Sequence, residues 1–145
     1  MNAKHMLLLA GIALLLVSAP DSLQAQDDDE DGHIFTVSTQ QWPFNNLDDI
    51  FEIMEENHEL TEQNEFILSQ KVLTHVWAGA FSVMFIWEYA SFEDIAKAEK
   101  RDTELYEAKY PNEKDRDALD EKFAALAGDN IHEDHIVQEN TKLAK

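Results

Sequence analysis

The period of the hydrophobic pattern changes several times along this chain, and each change marks an element. Ile34 to Trp42 alternates apolar and polar positions and is rich in Thr and Val, with Phe35, Val37 and Thr39 on one side. That period of two predicts a strand. Pro43 stops it. Asn45 or Asn46 is placed to cap a helix, and Asp48 and Asp49 fall in its first turn, where the helix dipole favours negative charge. Leu47, Ile50, Phe51 and Met54 make the inward stripe of this helix, and Asp49, Glu52, Glu55 and Glu56 its wet face. The pattern fades near Asn57 to Leu60, and Thr61 to Glu65 has no clear period.

Gln70 to Trp77 and Phe81 to Ala90 read as two strands joined across Ala78-Gly79-Ala80. The second is apolar on both faces: Phe81, Val83, Phe85 and Trp87 on one side, Met84 and Ile86 on the other. A strand buried on both faces belongs to a sheet covered on both sides. The helices of so short a domain cover only one, so the pattern predicts a homodimer in which a second subunit covers the other. Ser91 and Asp94 have the spacing of a capping box before a helix from Phe92 to about Tyr110, with Ile95, Ala98, Leu105 and Tyr106 inward. Pro111 ends it. Lys114 to Ala127 forms another helix closed by Gly128, and Ile131 to Gln138 a final edge strand. Strand, helix, strand, strand, helix, helix, strand is the order of an α+β domain with a four-stranded sheet and helices on one face.

The N-terminal segment has a different character. Lys4 and His5 precede an apolar run from Met6 to Val17; Ser18, Pro20 and Asp21 break it, and Ala25 offers a small residue for cleavage. A membrane span needs about 20 apolar residues, and this run is shorter, so it predicts a cleaved export signal. The expected division is a signal peptide over 1–25, an acidic disordered leader over 26–33, a folded domain over 34–138 and a C-terminal tail over 139–145. Asp27, Asp29, Asp31 and Gly32 imitate the start of a calcium loop, but Ser38 stands where such a loop needs a bidentate Glu.

Composition narrows the partners. The 145 residues include no cysteine, which excludes disulfides, thiolate metal sites, Cys nucleophiles and a lipoprotein anchor. The formal charge of −19 opposes nucleic acid and anionic membrane surfaces, so neither is an expected partner. The acids are spread over the whole mature chain, as on a solvated surface. The expected location is periplasmic or secreted.

The run Ser69-Gln70-Lys71-Val72-Leu73-Thr74-His75, then Glu88-Tyr89-Ala90-Ser91-Phe92-Glu93-Asp94-Ile95, with Lys97-Ala98-Glu99 and Tyr110-Pro111-Asn112 beyond, resembles the dimeric α+β barrel superfamily. The likeness spans Phe35 to Val137. It implies ferredoxin-like subunits whose open sheet faces meet, in agreement with the two-faced strand. The superfamily includes antibiotic-biosynthesis-type monooxygenases, haem-degrading enzymes and stress-responsive proteins, so it implies a fold rather than one reaction. Haem-degrading members carry a catalytic Trp and His on the helix after the third strand. Phe92 to Tyr110 contains neither, a departure from that pattern.

Candidate chemistry centres on His75 and Trp77, which share one face of their strand. With Phe85 and Trp87 they are expected to line an apolar ligand pocket, His75 serving as a general base, or else to form a solid dimer core. Glu88, on the opposite face with Met84 and Ile86, is expected either to bond backbone amides at the sheet end or to accept a proton with a raised pKa. His132 and His135 would share a face only on a helix; on a strand they diverge, so no metal site is assigned. No phosphate loop or activated nucleophile is found, and no cofactor is expected. The expected function is an exported small-ligand-binding or cofactor-independent monooxygenase-like barrel protein, its ligand a small apolar molecule. The alternative is a non-enzymatic stress or protein-interaction module with a solid barrel core.

Overall fold

The structure, a computed structural model, describes residues 32–76, 80–129 and 131–144. The segment expected to be an export signal, most of the expected acidic leader and Trp77 lie outside the described residues.

Four antiparallel strands, β1 (Ile34–Gln41), β2 (Ser69–Thr74), β3 (Val83–Tyr89) and β4 (Ile131–Gln138), pair in the order β2-β3-β1-β4. Helices α1 (Leu47–Glu62), α2 (Phe92–Lys109) and α3 (Glu113–Ala127) accompany them. This is the expected α+β, ferredoxin-like arrangement, with β2 and β4 as edges. No helix among the described residues is long and apolar enough to cross a membrane.

The core lies between helices and sheet. Trp42 meets Phe85 and Phe123 edge-on, with ring centroids 5.6 and 5.5 Å apart. Leu47, Ile50, Ile53 and Val83 pack into the same cluster. Ile50 and Ile53 are the most buried residues of α1, while Phe51 and Met54 of the expected stripe sit at the margin of this cluster.

Local differences from the sequence pattern have tertiary causes. α1 runs on to Glu62 instead of fading near Asn57, because its last turns dock on α2. Leu60 packs on Leu105 and Tyr106, Tyr110 donates its hydroxyl to Asn57 Oδ1 at 3.0 Å, and Lys109 reaches Glu59 at 3.3 Å. Asn46 is the N-cap residue of α1, yet its side chain does not cap; its amide donates to Leu126 O at 2.8 Å and ties the helix start to the end of α3. Ser91 likewise spends its hydroxyl on the Asp94 carboxylate at 2.8 Å rather than on a helix amide. Asn112 does cap, accepting from Lys114 N. Gly128 closes α3 at φ 70°, a backbone region L side chains rarely occupy.

β2 stops at Thr74 and β3 begins at Val83, so their connection is longer than the three residues expected. One further bond, His75 N to Ser82 O at 2.8 Å, continues the ladder. At Ser82 the pairing is diverted: its N–H donates to Gln40 O, and its hydroxyl accepts from Trp42 N at 2.7 Å.

Truncating Ile53 to Ala should lower the unfolding free energy by about 2–5 kcal/mol, since the side chain is 1% exposed in a packed cluster. Urea denaturation checks this; a loss below about 1 kcal/mol would mean that α1 is loosely packed on the sheet.

Candidate functional site

Antiparallel partners project to the same side of a sheet, so register assigns each side chain a face. Val83, Phe85 and Trp87 face the helices, together with their β1 partners Gln40, Ser38 and Thr36. Met84, Ile86 and Glu88 face the open side with Thr39, Val37 and Phe35. β1 therefore turns its polar edge to the helix layer: Thr36, Ser38 and Gln40 are all buried, while Phe35 and Val37 lie on the open face.

Buried polar groups need partners. Three buried atoms have none among the described residues: Gln40 Oε1, His75 Nδ1 and Glu99 Oε1. Two of these belong to one end of the sheet. Gln40, Ser82 and His75 form a row across three strands, joined by Ser82 N to Gln40 O at 2.7 Å and His75 N to Ser82 O at 2.8 Å. Ser82 Oγ also donates to Gln40 O at 3.0 Å. The His75 ring lies against Phe81, centroids 4.8 Å apart. Beside this row is an open groove of about 300 Å³ lined by Gln41, Trp42, Pro43, Phe44, Ala80, Phe81 and Ser82. A largely apolar groove next to polar groups can hold a small apolar molecule and hydrogen-bond one end of it.

The other residues singled out in the sequence fall elsewhere. Phe85 is core, 4% exposed and stacked on Trp87 at 5.3 Å. Trp87 is half-buried and bridges two core clusters. Glu88 stands at the far end of the β2–β3 ladder, opposite Ser69, roughly 20 Å from His75 at strand rise. His75 and Glu88 therefore do not form one catalytic pair. The Glu88 carboxylate is clasped by the Ser69 hydroxyl and the His33 ring. The Ser69 and His33 hydrogen bonds pull its pKa down against the opposing effect of burial, so the raised-pKa alternative gives way to an ionised, structural carboxylate. His33, assigned from sequence to the disordered leader, is anchored twice, since its carbonyl also accepts from Glu139 N. Gly32 precedes it in a space where a Cβ would sit 2.6 Å from Glu139 O.

His132 and His135 lie on opposite faces of β4, as a strand requires. His132 Nε2 is 3.3 Å from Asp134 Oδ2 and His135 Nε2 is 3.9 Å from Glu133 Oε2. Among the described residues no group of three or more His, Asp or Glu side chains is placed to hold a metal.

Sequence reasoning missed Gln40, Ser82 and a second buried polar group beneath α2. There Asn64, 2% exposed, donates to Asp102 Oδ1 at 2.7 Å and to Ala98 O at 3.0 Å. Burial raises the pKa of Asp102 and, with the Asp102 charge added, of Glu99. Burial also lifts the nearby Tyr89 hydroxyl to about 12.

No family model matches the chain, and no curated protein matches it in sequence. Solved structures do match. A NIPSNAP family protein of unknown function from Agrobacterium tumefaciens superposes with a TM-score of 0.55 at 13% identity, covering 77% of this chain and 91% of its own. A putative antibiotic biosynthesis monooxygenase from Nitrosomonas europaea gives 0.53 at 10%, covering 79% and 96%. A point mutant of SnoaB, a cofactor-independent oxygenase from Streptomyces nogalater, gives 0.51 at 9%, covering 79% and 99%. The chain thus has the ferredoxin-like α+β fold of monooxygenase-like and NIPSNAP proteins. At such identities the likeness concerns the fold alone.

The raised pKa values have a testable sign. Glu99 and Asp102 bind protons more tightly folded than unfolded, so their contribution is fully present below the ordinary carboxylate pKa of about 4 and is lost as pH rises through the folded values. Asp102→Asn should flatten the fall in melting temperature between about pH 4 and pH 7. Parallel melting curves for variant and wild type would show the group to be solvated.

Proposed function

We propose that this is an exported, monooxygenase-like barrel protein that binds a small, largely apolar molecule at the β1–β3–β2 end of its sheet. The observation that carries the reading is the row Gln40–Ser82–His75, where two buried polar atoms have no partner among the described residues, beside a largely apolar groove. Each unpaired buried group costs about 1–3 kcal/mol, and a ligand that pairs with it would recover that cost. The fold's occurrence in cofactor-independent and putative monooxygenases supports the reading by analogy only. His75, whose ring lies against the groove residue Phe81, is the proton acceptor this reading assigns. Export is supported by the apolar run Met6 to Val17 and the polar break that follows.

A second copy of the chain is proposed to cover the open face. In one subunit that face carries Ile86, Val37, Met84 and Phe35 at its centre, with Leu73, Ile131 and Val137 about half exposed towards its edges. Lys71 lies on one edge strand and Glu133 on the other. An apolar centre with a charged rim is the anatomy of an interface.

The interaction-module alternative, with a solid barrel core, is supported by the apolar open face, where Ile86, Val37, Met84 and Phe35 would pack against a second copy and leave little room for a ligand. Native mass spectrometry of protein recovered from an exporting host separates the two. A bound small molecule that is lost in His75→Ala supports the site; equal retention by the variant, or no uptake by either protein, would remove it.

Ile86→Lys should turn a dimer into a monomer in sedimentation, because an ammonium would be stranded at the apolar centre. A wild-type monomer at tens of micromolar would refute the covering copy.

A further inference from the structure

We infer that Glu99, Asp102 and Asn64 form a proton-operated latch beneath α2. With both carboxylates protonated the first half of the helix is fastened to the chain between α1 and β2, and their ionisation lets it loosen from the sheet. The latch sits by Tyr89, the last residue of β3, away from the groove at Ser82, and does not depend on a ligand there.

The sequence of α2 creates it. The buried residues Ile95, Ala98, Leu105 and Tyr106 recur at helical spacing, and Asp102 takes the place an apolar residue would fill between Ala98 and Leu105. Glu99, one turn after Ile95, lies beside it. Asn64, 2% exposed, comes from the chain that follows α1 and donates its amide to Asp102 Oδ1 at 2.7 Å and to Ala98 O at 3.0 Å. Its Oδ1 accepts from Phe66 N at 3.1 Å, and its carbonyl accepts from Ile67 N at 3.1 Å. One side chain thus ties this segment to the helix, and Phe66 and Ile67 pack with Ile34 and Trp87 around Tyr89, Ile95 and Ala98.

The nearby cations are engaged elsewhere. Arg101 turns to Glu65 at 3.1 Å and Glu104 at 3.6 Å, and Lys97 to Asp94 at 2.7 Å. From the sheet the pair is faced by Tyr89, 2% exposed, whose hydroxyl accepts from Thr36 at 3.4 Å and feels the charge of both carboxylates. Glu99 Oε1 is buried with no partner among the described residues. Ionising both groups sets two negative charges side by side in a low-dielectric layer. Burial raises the pKa of Asp102, and burial together with the Asp102 charge raises that of Glu99. The folded carboxyls hold protons more tightly than unfolded ones, so the closed latch is favoured at low pH and weakens as pH rises through the folded values. Local opening relieves the repulsion, since water then reaches both carboxylates without unpacking Phe123 of α3 from Ile50 of α1.

Hydrogen–deuterium exchange read by mass spectrometry, on the full chain at about pH 4 and about pH 7, tests the latch. Peptides over 63–68 and 92–102 report on it, and peptides over 113–127 report on α3. Asp102→Asn keeps an acceptor for the Asn64 amide and stays neutral at every pH. Glu99→Gln removes the second charge and serves alone if Asp102→Asn does not fold. At about pH 7 each variant should exchange at least about three-fold more slowly than wild type in the first two peptides, and at about pH 4 all three proteins should agree. The α3 peptides should be alike throughout. Equal or faster exchange in the variants at about pH 7 overturns the latch. So does a slowing of the same size in α3, which would report a change in whole-domain stability instead.

Discussion

β1 is oriented with its polar side inward, and much else in the molecule depends on that constraint. A strand in a two-layer domain ordinarily gives its apolar residues to the helix layer and its polar residues to water. Here Thr36, Ser38 and Gln40 are buried under the helices, and Phe35 and Val37 point to the open side. The inward side must then find hydrogen bonds within a low-dielectric layer, which it does only in part. The outward side must find cover. A shift of one residue in the pairing would exchange the two faces. The neighbouring strand prevents it: Val83, Phe85 and Tyr89 of β3 are locked against the helices, and β1 pairs with them along its length.

Around that strand the sheet has two unlike ends. At one, Glu88 is satisfied by Ser69 and His33, its pKa is lowered, and the start of the domain is fastened to it. At the other, Gln40 and His75 flank Ser82 with Oε1 and Nδ1 unpaired among the described residues, and the ladder between β2 and β3 gives out after one last bond. The same sheet holds a finished structural clasp at one end and an unfinished polar row at the other.

The sequence carries most of the fold because its punctuation is strong. Pro43, Ser91, Pro111 and Gly128 bound elements that the structure places within a residue or two of the pattern. Where expectation and structure part, the cause is tertiary: α1 outlasts its own pattern because Leu60 and Asn57 are held by α2. The site is far less legible. Alternation shows that Phe35 and Thr36 lie on opposite faces of β1 but cannot tell which face the helices cover, so Gln40 passes for a surface residue. His75 stands out as a titratable group among aromatics, and Glu88 as a carboxylate on an apolar strand. Only register shows that they occupy opposite ends of one ladder. The Glu99–Asp102–Asn64 group is invisible for a similar reason, since Asn64 lies in a stretch with no period.

At the identities found, the fold neighbours share a backbone path and little side-chain chemistry. An activity cannot be carried over on the path alone; it must be rebuilt from this chain's own residues. They include no thiolate, and the described residues show no metal cluster. What they supply is a hydrogen-bonding carboxamide, a hydroxyl, an imidazole and several aromatic rings, within a strongly acidic protein. Such a set can position an uncharged molecule and move one proton. The acidity matters here as selection rather than as a site: Asp48, Asp49, Glu52, Glu55, Glu56, Glu59 and Glu62 are exposed along α1, making a field that discourages anions before they reach the groove.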